Sequence, residues 1–247
     1  MGIYIVLRLL ALAFLCLSAV FYGIMVGQTR IFPYQYAVRL QQNIIGHNIA
    51  VNTSYDTLDT IYKSRISDNI TLIGDSHVQY GDWSKLLHRN DVTNLGIGGE
   101  RSSQLRNRLG RYDIAPSVIV ISIGTNDIDN MSLAESDANT RVVLAEAQKR
   151  AKHVIFLAPP PTSTPSINAN IRLLREQQRL ACGSGCFYLD LTDALSTNGL
   201  VRAELSADGI HLKDAGYQII ATALRDEIAR YETQTAPAPP GETISMF

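Results

Sequence analysis

The chain has 247 residues, 46% apolar and 18% charged, with a formal net charge of −1 and three cysteines. That length is enough for one domain, or two small ones, with a buried core. The near-neutral balance argues against a nucleic-acid binder, the wealth of Val, Ile and Leu against a disordered chain, and the few cysteines against a disulfide scaffold.

From the N-terminus, residues 1–8 form a short leader ending in Arg8, and residues 9–27 carry no charge. Within 9–27 only Ser18, Gly23 and Gly27 fall outside the apolar set. As a helix this stretch is about 28 Å long, close to the thickness of a bilayer's hydrocarbon core. It is longer than the apolar core of a cleaved signal peptide, and no small-x-small site follows it, so the expectation is one N-terminal transmembrane helix. Arg8 lies on one side and Arg30 and Arg39 on the other, so basic residues do not set its orientation. Residues 28–68 read as a juxtamembrane spacer. Tyr34, Val38, Leu40, Ile44 and Ile45 hint at a short amphipathic helix, and a polar run from Asn48 to Asp59 follows, which either spaces or packs.

From residue 69 to 231 the rhythm is strand then helix. Short β-branched runs at 70–73, 92–95, 118–123, 154–158 and 187–189 suit strands buried on both faces of a parallel sheet. Helical stretches at 102–109, 133–151, 167–180 and 215–231 separate or follow them. The alternation predicts a three-layer α/β/α domain with a five-stranded, mostly parallel, flavodoxin-like sheet. Residues 232–247 are rich in proline and read as a disordered tail.

Ligands of such sheets bind outside the carboxyl ends of the strands, and polar residues collect there. Gly74-Asp75-Ser76-His77 follows the first strand, Gly96-Ile97-Gly98-Gly99-Glu100-Arg101 the second, and Gly124-Thr125-Asn126-Asp127 the third; Asp208-Gly209-Ile210-His211 stands before the last helix. These residue types suit acyl transfer. A serine hydroxyl needs a base, histidine is the best one at neutral pH, and a carboxylate fixes its tautomer. Asp208 and His211 are near enough in sequence for a turn to join them. Glycine N–H groups and an asparagine amide can serve a developing oxyanion.

The four blocks, in this order, resemble those of the SGNH (GDSL) hydrolase family over roughly residues 69–217. The resemblance implies that Ser76 is the nucleophile and gives its N–H to the oxyanion hole. Gly99 would add a second N–H and Asn126 a side-chain amide; His211 would be the base, oriented by Asp208. Gly98 is the alternative to Gly99, which is preferred because it precedes Glu100, an acidic position in many relatives. Asp75 and Asp127 are expected in support, through hydrogen bonds to the surrounding loops. His77 resembles the residue at that place in SGNH domains attached to membrane acyltransferases, but a sheet-facing or solvent histidine is the preferred account. Arg101, Arg106, Arg108 and Arg111 lie partly at helical spacing and read as a solvated helix face, with an anion-binding surface as the alternative.

Cys182 and Cys186 flank a Gly-Ser-Gly loop. They could close a disulfide, sit as two small residues at a turn, or form half a zinc site, and no second Cys or His pair stands near for the last. An anchor together with a disulfide would place the body outside the cytoplasm, periplasmic or extracellular. The expectation is a membrane-anchored serine esterase working through an acyl-enzyme without metal or organic cofactor. The family resemblance implies substrates such as O-acetyl or other short acyl esters on carbohydrate or cell-envelope polymer. An O-acyltransferase to a sugar hydroxyl and a lysophospholipase or thioesterase are the alternatives; a non-catalytic binding module is disfavoured by the intact set of polar residues. Partners are then the ester substrate and the membrane, with no nucleic acid.

Overall fold

The computed structural model describes residues 49–63, 68–128 and 130–235, together with Arg8, Ser18 and Tyr22. The expected anchor at 9–27 lies outside the described residues except for Ser18 and Tyr22, both helical. Among the described residues no helix is long and apolar enough to cross a membrane.

Five strands, β1 (Ile70–Gly74), β2 (Val92–Gly96), β3 (Val118–Ser122), β4 (His153–Leu157) and β5 (Phe187–Leu189), form one sheet in the order β2-β1-β3-β4-β5. All pairings are parallel, with Ile70 beside both Val92 and Val118, so the sheet is wholly rather than mostly parallel. β1 and β3 are buried along their whole length. Alternate side chains serve the two faces, as the period of two in a strand requires.

On one face Leu72, Val120 and Ile155 meet Trp83, Leu86 and Leu87 of α3 (Trp83–Leu87) and Tyr217, Ile220, Leu224 and Ile228 of the long helix α8 (Asp214–Thr235). On the other, Ile73, Ile121 and Phe156 meet Leu105 and Leu109 of α4 (Ser102–Leu109), Val143, Leu144 and Ala147 of α5 (Leu133–Arg150), and Cys182 at the end of α6 (Pro165–Cys182). Ser132 caps α5 by accepting from the Glu135 amide, and Pro165 starts α6 where no amide donor is needed. A disulfide joins Cys182 to Cys186, tying the end of α6 to the approach to β5.

Three local features differ from the sequence reading. The polar run at 48–59 is not irregular: α1 (Ile49–Lys63) runs through it, and from Tyr55 it belongs to the same compact unit as the sheet. Tyr55 and Leu58 pack on the second core face and Tyr62 is part of it, so the apolar spacing 55, 58, 62 is a helical stripe carried by an otherwise polar helix. The final helix extends through Thr235, so 232–235 are helical; 236–247 lie outside the described residues. A two-stranded hairpin, β6 (Ser196–Thr197) with β7 (Leu200–Val201), follows the short helix α7 (Thr192–Leu195).

Candidate active site

The carboxyl end of β1 turns under tight steric control. Gly74 has φ +153°, and a Cβ there would lie 1.8 Å from the Ser122 carbonyl oxygen, so only glycine passes. The Asp75 amide then donates to that same carbonyl at 3.2 Å. Ser76 opens the single-turn helix α2 (Ser76–Gln79), which Asp75 caps by accepting from the His77 amide at 2.9 Å. Neighbouring side chains lock this turn. The Asn94 amide of β2 donates to the Val78 and Gly81 carbonyls at 3.0 and 3.1 Å, and the Trp83 indole donates to Val78 at 2.7 Å.

Across from Ser76 stands the loop that enters α8. Ser206 Oγ accepts from the Gly209 amide and donates to the His211 carbonyl, at 2.9 and 2.7 Å. The Ser163 amide donates to the Gly209 carbonyl at 2.7 Å. Held in this way, His211 Nε2 lies 3.0 Å from Ser76 Oγ, and its Nδ1 lies 2.7 Å from Asp208 Oδ2. A carboxylate only accepts, so Nδ1 carries the proton and Nε2 is left to accept from the serine. Partial burial works against the Asp208 charge, but hydrogen bonds from the His211 ring and from the Ile210 and His211 amides hold its carboxyl down at about 2. The carboxylate is therefore ionised at neutral pH.

The candidate donors belong to the turn after β2 and the turn after β3. Gly98 donates its amide to Gln79 Oε1 at 2.7 Å and Glu100 donates to the Ile97 carbonyl at 3.2 Å. Gly99, between them at φ +74°, makes no amide hydrogen bond among the described residues, and neither does Ser76. The geometry thus separates the two glycines: the Gly98 donor is occupied and that of Gly99 is open. Asn126 sits in a 3₁₀ turn (Thr125–Asp127) and donates one side-chain hydrogen to the Glu100 carbonyl at 2.9 Å, leaving its second hydrogen for a ligand. Asp127, buried, accepts from the Ser102 amide at 2.9 Å and from Ser136 Oγ at 2.5 Å, which ties the Asn126 turn to α4 and α5.

The structure thus gathers Ser76, His211 and Asp208 in one hydrogen-bonded chain and joins the Gly99 and Asn126 segments through Glu100. His77 is buried, not solvent-facing, with its ring centroid 5.8 Å from that of His211 and no hydrogen-bond partner for Nδ1 among the described residues. Burial, with His211 beside it, pushes it down to about 4, so at neutral pH it is an uncharged neighbour of the base. Burial also pushes Asp75 up to about 7, against the hydrogen bond from His77. Tyr80, which the sequence reading passed over, is largely exposed with its ring centroid 5.2 Å from that of His211. Its signal was position: it falls one helical turn after Ser76.

The arginine series requires correction. Arg111 reaches Asp59 and Arg106 reaches Asn139, but Arg108 is fully buried and makes a two-pronged ion pair with Glu100, at 2.5 and 2.6 Å. It lies three residues after Leu105 and beside Leu109, on the buried stripe of α4, so it belongs to the inner face and not to a solvated one.

This arrangement can pass a proton from a serine to a histidine and hold the oxygen of a tetrahedral adduct, which is the chemistry of acyl transfer. The comparisons agree at family level. Residues 68–219 match the model of the GDSL-like lipase/acylhydrolase family, and no curated protein matches. Among solved structures, one from Streptococcus pneumonia, provisionally assigned as a platelet activating factor, is 24% identical with a TM-score of 0.68, covering 78% of this chain and 99% of that one. A GDSL-like lipase from Bacteroides thetaiotaomicron is 18% identical, TM-score 0.60, covering 73% and 98%. A catalytic mutant of an acetylxylan esterase from Geobacillus stearothermophilus is 21% identical, TM-score 0.56, covering 67% and 96%. At these identities the solved structures speak for the fold; the family model spans more than half of the chain, and the chain belongs to the GDSL-like lipase/acylhydrolase family.

Proposed function

We propose that the protein is a serine ester hydrolase acting on short acyl esters, O-acetyl groups above all, of carbohydrate or cell-envelope polymer. The observation that carries the mechanism is the continuous chain from Ser76 Oγ through His211 to Asp208, at 3.0 and 2.7 Å. Ser76 Oγ attacks the ester carbonyl carbon while His211 Nε2 takes its proton. The carbonyl oxygen becomes an oxyanion and accepts from Ser76 N–H, Gly99 N–H and Asn126 Nδ2. Collapse of the adduct breaks the bond to the alcohol, which leaves with the proton from His211. Water, deprotonated by the same histidine, then releases the acid and restores the serine. The supporting roles are Asp75 capping the serine turn and Asp127 fixing the asparagine turn.

Two observations support the substrate class. Asp208 and Tyr80 are exposed and His211 is partly so, which suits an ester displayed on a bulky polymer. One structural neighbour is described as an acetylxylan esterase. The same open face would admit a sugar hydroxyl in place of water, making the protein an O-acyltransferase, so the assay is run with and without a sugar acceptor. The Cys182–Cys186 disulfide supports an oxidising compartment, and with the apolar run at 9–27 it underlies our reading of a membrane-anchored body outside the cytoplasm.

The test is cleavage of acetylated sugars and activated acetyl esters by wild type and Ser76→Ala. Loss on the order of 10⁶-fold in kcat is expected, together with loss of labelling by a serine-directed fluorophosphonate. Turnover surviving in Ser76→Ala would defeat the reading, and transfer outpacing hydrolysis would move it to the acyltransferase.

A further inference from the structure

We propose that Tyr55, on the helix that precedes the catalytic body, is a positioning residue for the oxyanion side of the site, acting through Glu100; this rests on the serine-hydrolase reading. Glu100 sits at a junction. Its carbonyl accepts from Asn126 Nδ2 at 2.9 Å, and its amide follows Gly99, so any shift of Glu100 moves two of the three oxyanion donors. The Glu100 side chain is fully buried and is held from two directions. Arg108 grips it with both prongs and also donates to the Leu95 carbonyl at 2.8 Å and the Gly74 carbonyl at 3.4 Å, the ends of β2 and β1. Tyr55 Oη donates to Glu100 Oε1 at 3.2 Å.

Tyr55 Oη also lies 3.5 Å from the Gln104 carbonyl, a longer second acceptor, and the same helix makes further bonds to this region. Asp59, nearly buried, accepts from the Tyr112 hydroxyl at 2.8 Å, and that hydroxyl in turn accepts from Arg108 Nη1 at 3.2 Å. Arg111 donates to Asp59 at 2.9 Å. Tyr62 Oη donates to the Gly96 carbonyl at 3.1 Å, at the root of the Gly98-Gly99 turn. Helix α1 therefore closes a ring of hydrogen bonds around the Glu100–Arg108 pair. A buried carboxylate has four lone-pair sites; Arg108 Nε takes one on Oε1, and Tyr55 is the other donor to that oxygen among the described residues. Burial and the Glu100 charge push the Tyr55 phenol up, so it remains a donor. The consequence is that residues lying before the matched family region complete the oxyanion side of the site.

The experiment uses the full chain and compares wild type, Tyr55→Phe, Asn126→Ala and the double variant with a small activated acetyl ester. Tyr55→Phe should lower kcat about three- to tenfold with KM unchanged, the size of one ordinary net hydrogen bond whose loss is felt in the transition state. In the Asn126→Ala background the same change should cost less than in the wild type, because one of the two donors it positions is gone. Hydrogen exchange should quicken at residues 97–101 and 124–127 in Tyr55→Phe and stay unchanged in β3. Unchanged kcat, full additivity with Asn126→Ala, or a uniform loss of protection over the domain would each overturn the proposal. If wild type itself cleaves no ester, the hydrolase reading fails, and the exchange pattern alone then decides whether Tyr55 holds the loop.

Discussion

The two sides of the serine are built in opposite ways. The base side is local and open: Asp208 and His211 are three residues apart on a surface loop, joined by hydrogen bonds that close within that loop. The donor side is buried and long-range. Glu100, Arg108, Tyr112, Asp59 and Tyr55 bring together segments up to 53 residues apart, and Asp127 adds bonds to α4 and α5. The chemistry explains the contrast. A base has to reach solvent to exchange protons and release products, whereas an oxyanion hole works by being fixed before charge develops. Solvent screens the base side, so its charges contribute little to folding; the donor side cannot lose a partner without stranding a buried charge.

This contrast predicts that activity and stability respond to different substitutions. The largest effect on rate is expected at the base side: Asp208→Asn should lower kcat by about 10⁴-fold while changing unfolding free energy by only about 0–1 kcal/mol. Arg108→Met should reverse the pattern in stability, costing about 3–5 kcal/mol in urea unfolding because Glu100 is left buried without its cation. If Asp208→Asn proved the more destabilising of the two, the contrast would collapse.

A smaller effect sharpens the picture beneath the serine. Asp75 is raised from 3.8 to about 7, so between those values the native state holds a proton the unfolded chain has lost, and stability falls as pH rises. His77 is lowered from 6.5 to about 4, so in that interval the unfolded chain holds the extra proton and stability rises with pH. The two oppose each other in the wild type. Asp75→Asn, which keeps a cap acceptor, should unmask the His77 contribution as a slope approaching about 1.4 kcal/mol per pH unit between pH 4 and 6.5. An unfolding profile as flat as the wild type's would contradict it.

How much of this was written legibly in the chain follows the same division. The five strands were readable because runs buried on both faces are continuously apolar, and the base side because its partners are neighbours in sequence. The support of the donor side was not. Arg108 looked like part of a charged helix face, yet its spacing from Leu105 and Leu109 puts it on the inner stripe, where a guanidinium is tolerated only because Glu100 meets it. Helix α1 read as a polar run because the residues it turns inward are half-buried Tyr55 and buried Asp59 and Tyr62, whose partners lie 34–53 residues away. A stripe of Tyr55, Leu58 and Tyr62 was present, but nothing local says what it packs against. The preference for Gly99 over Gly98 rested on family resemblance; the occupied Gly98 amide now gives it a physical reason.

The most direct test of the central claim is to quench the wild-type enzyme in acid during turnover of an activated acetyl ester and map the modified peptide by mass spectrometry. The account predicts an acetyl group on Ser76, absent when Ser76→Ala is treated in the same way. Steady turnover with no acetyl on Ser76, or with the acetyl on another residue, would contradict it.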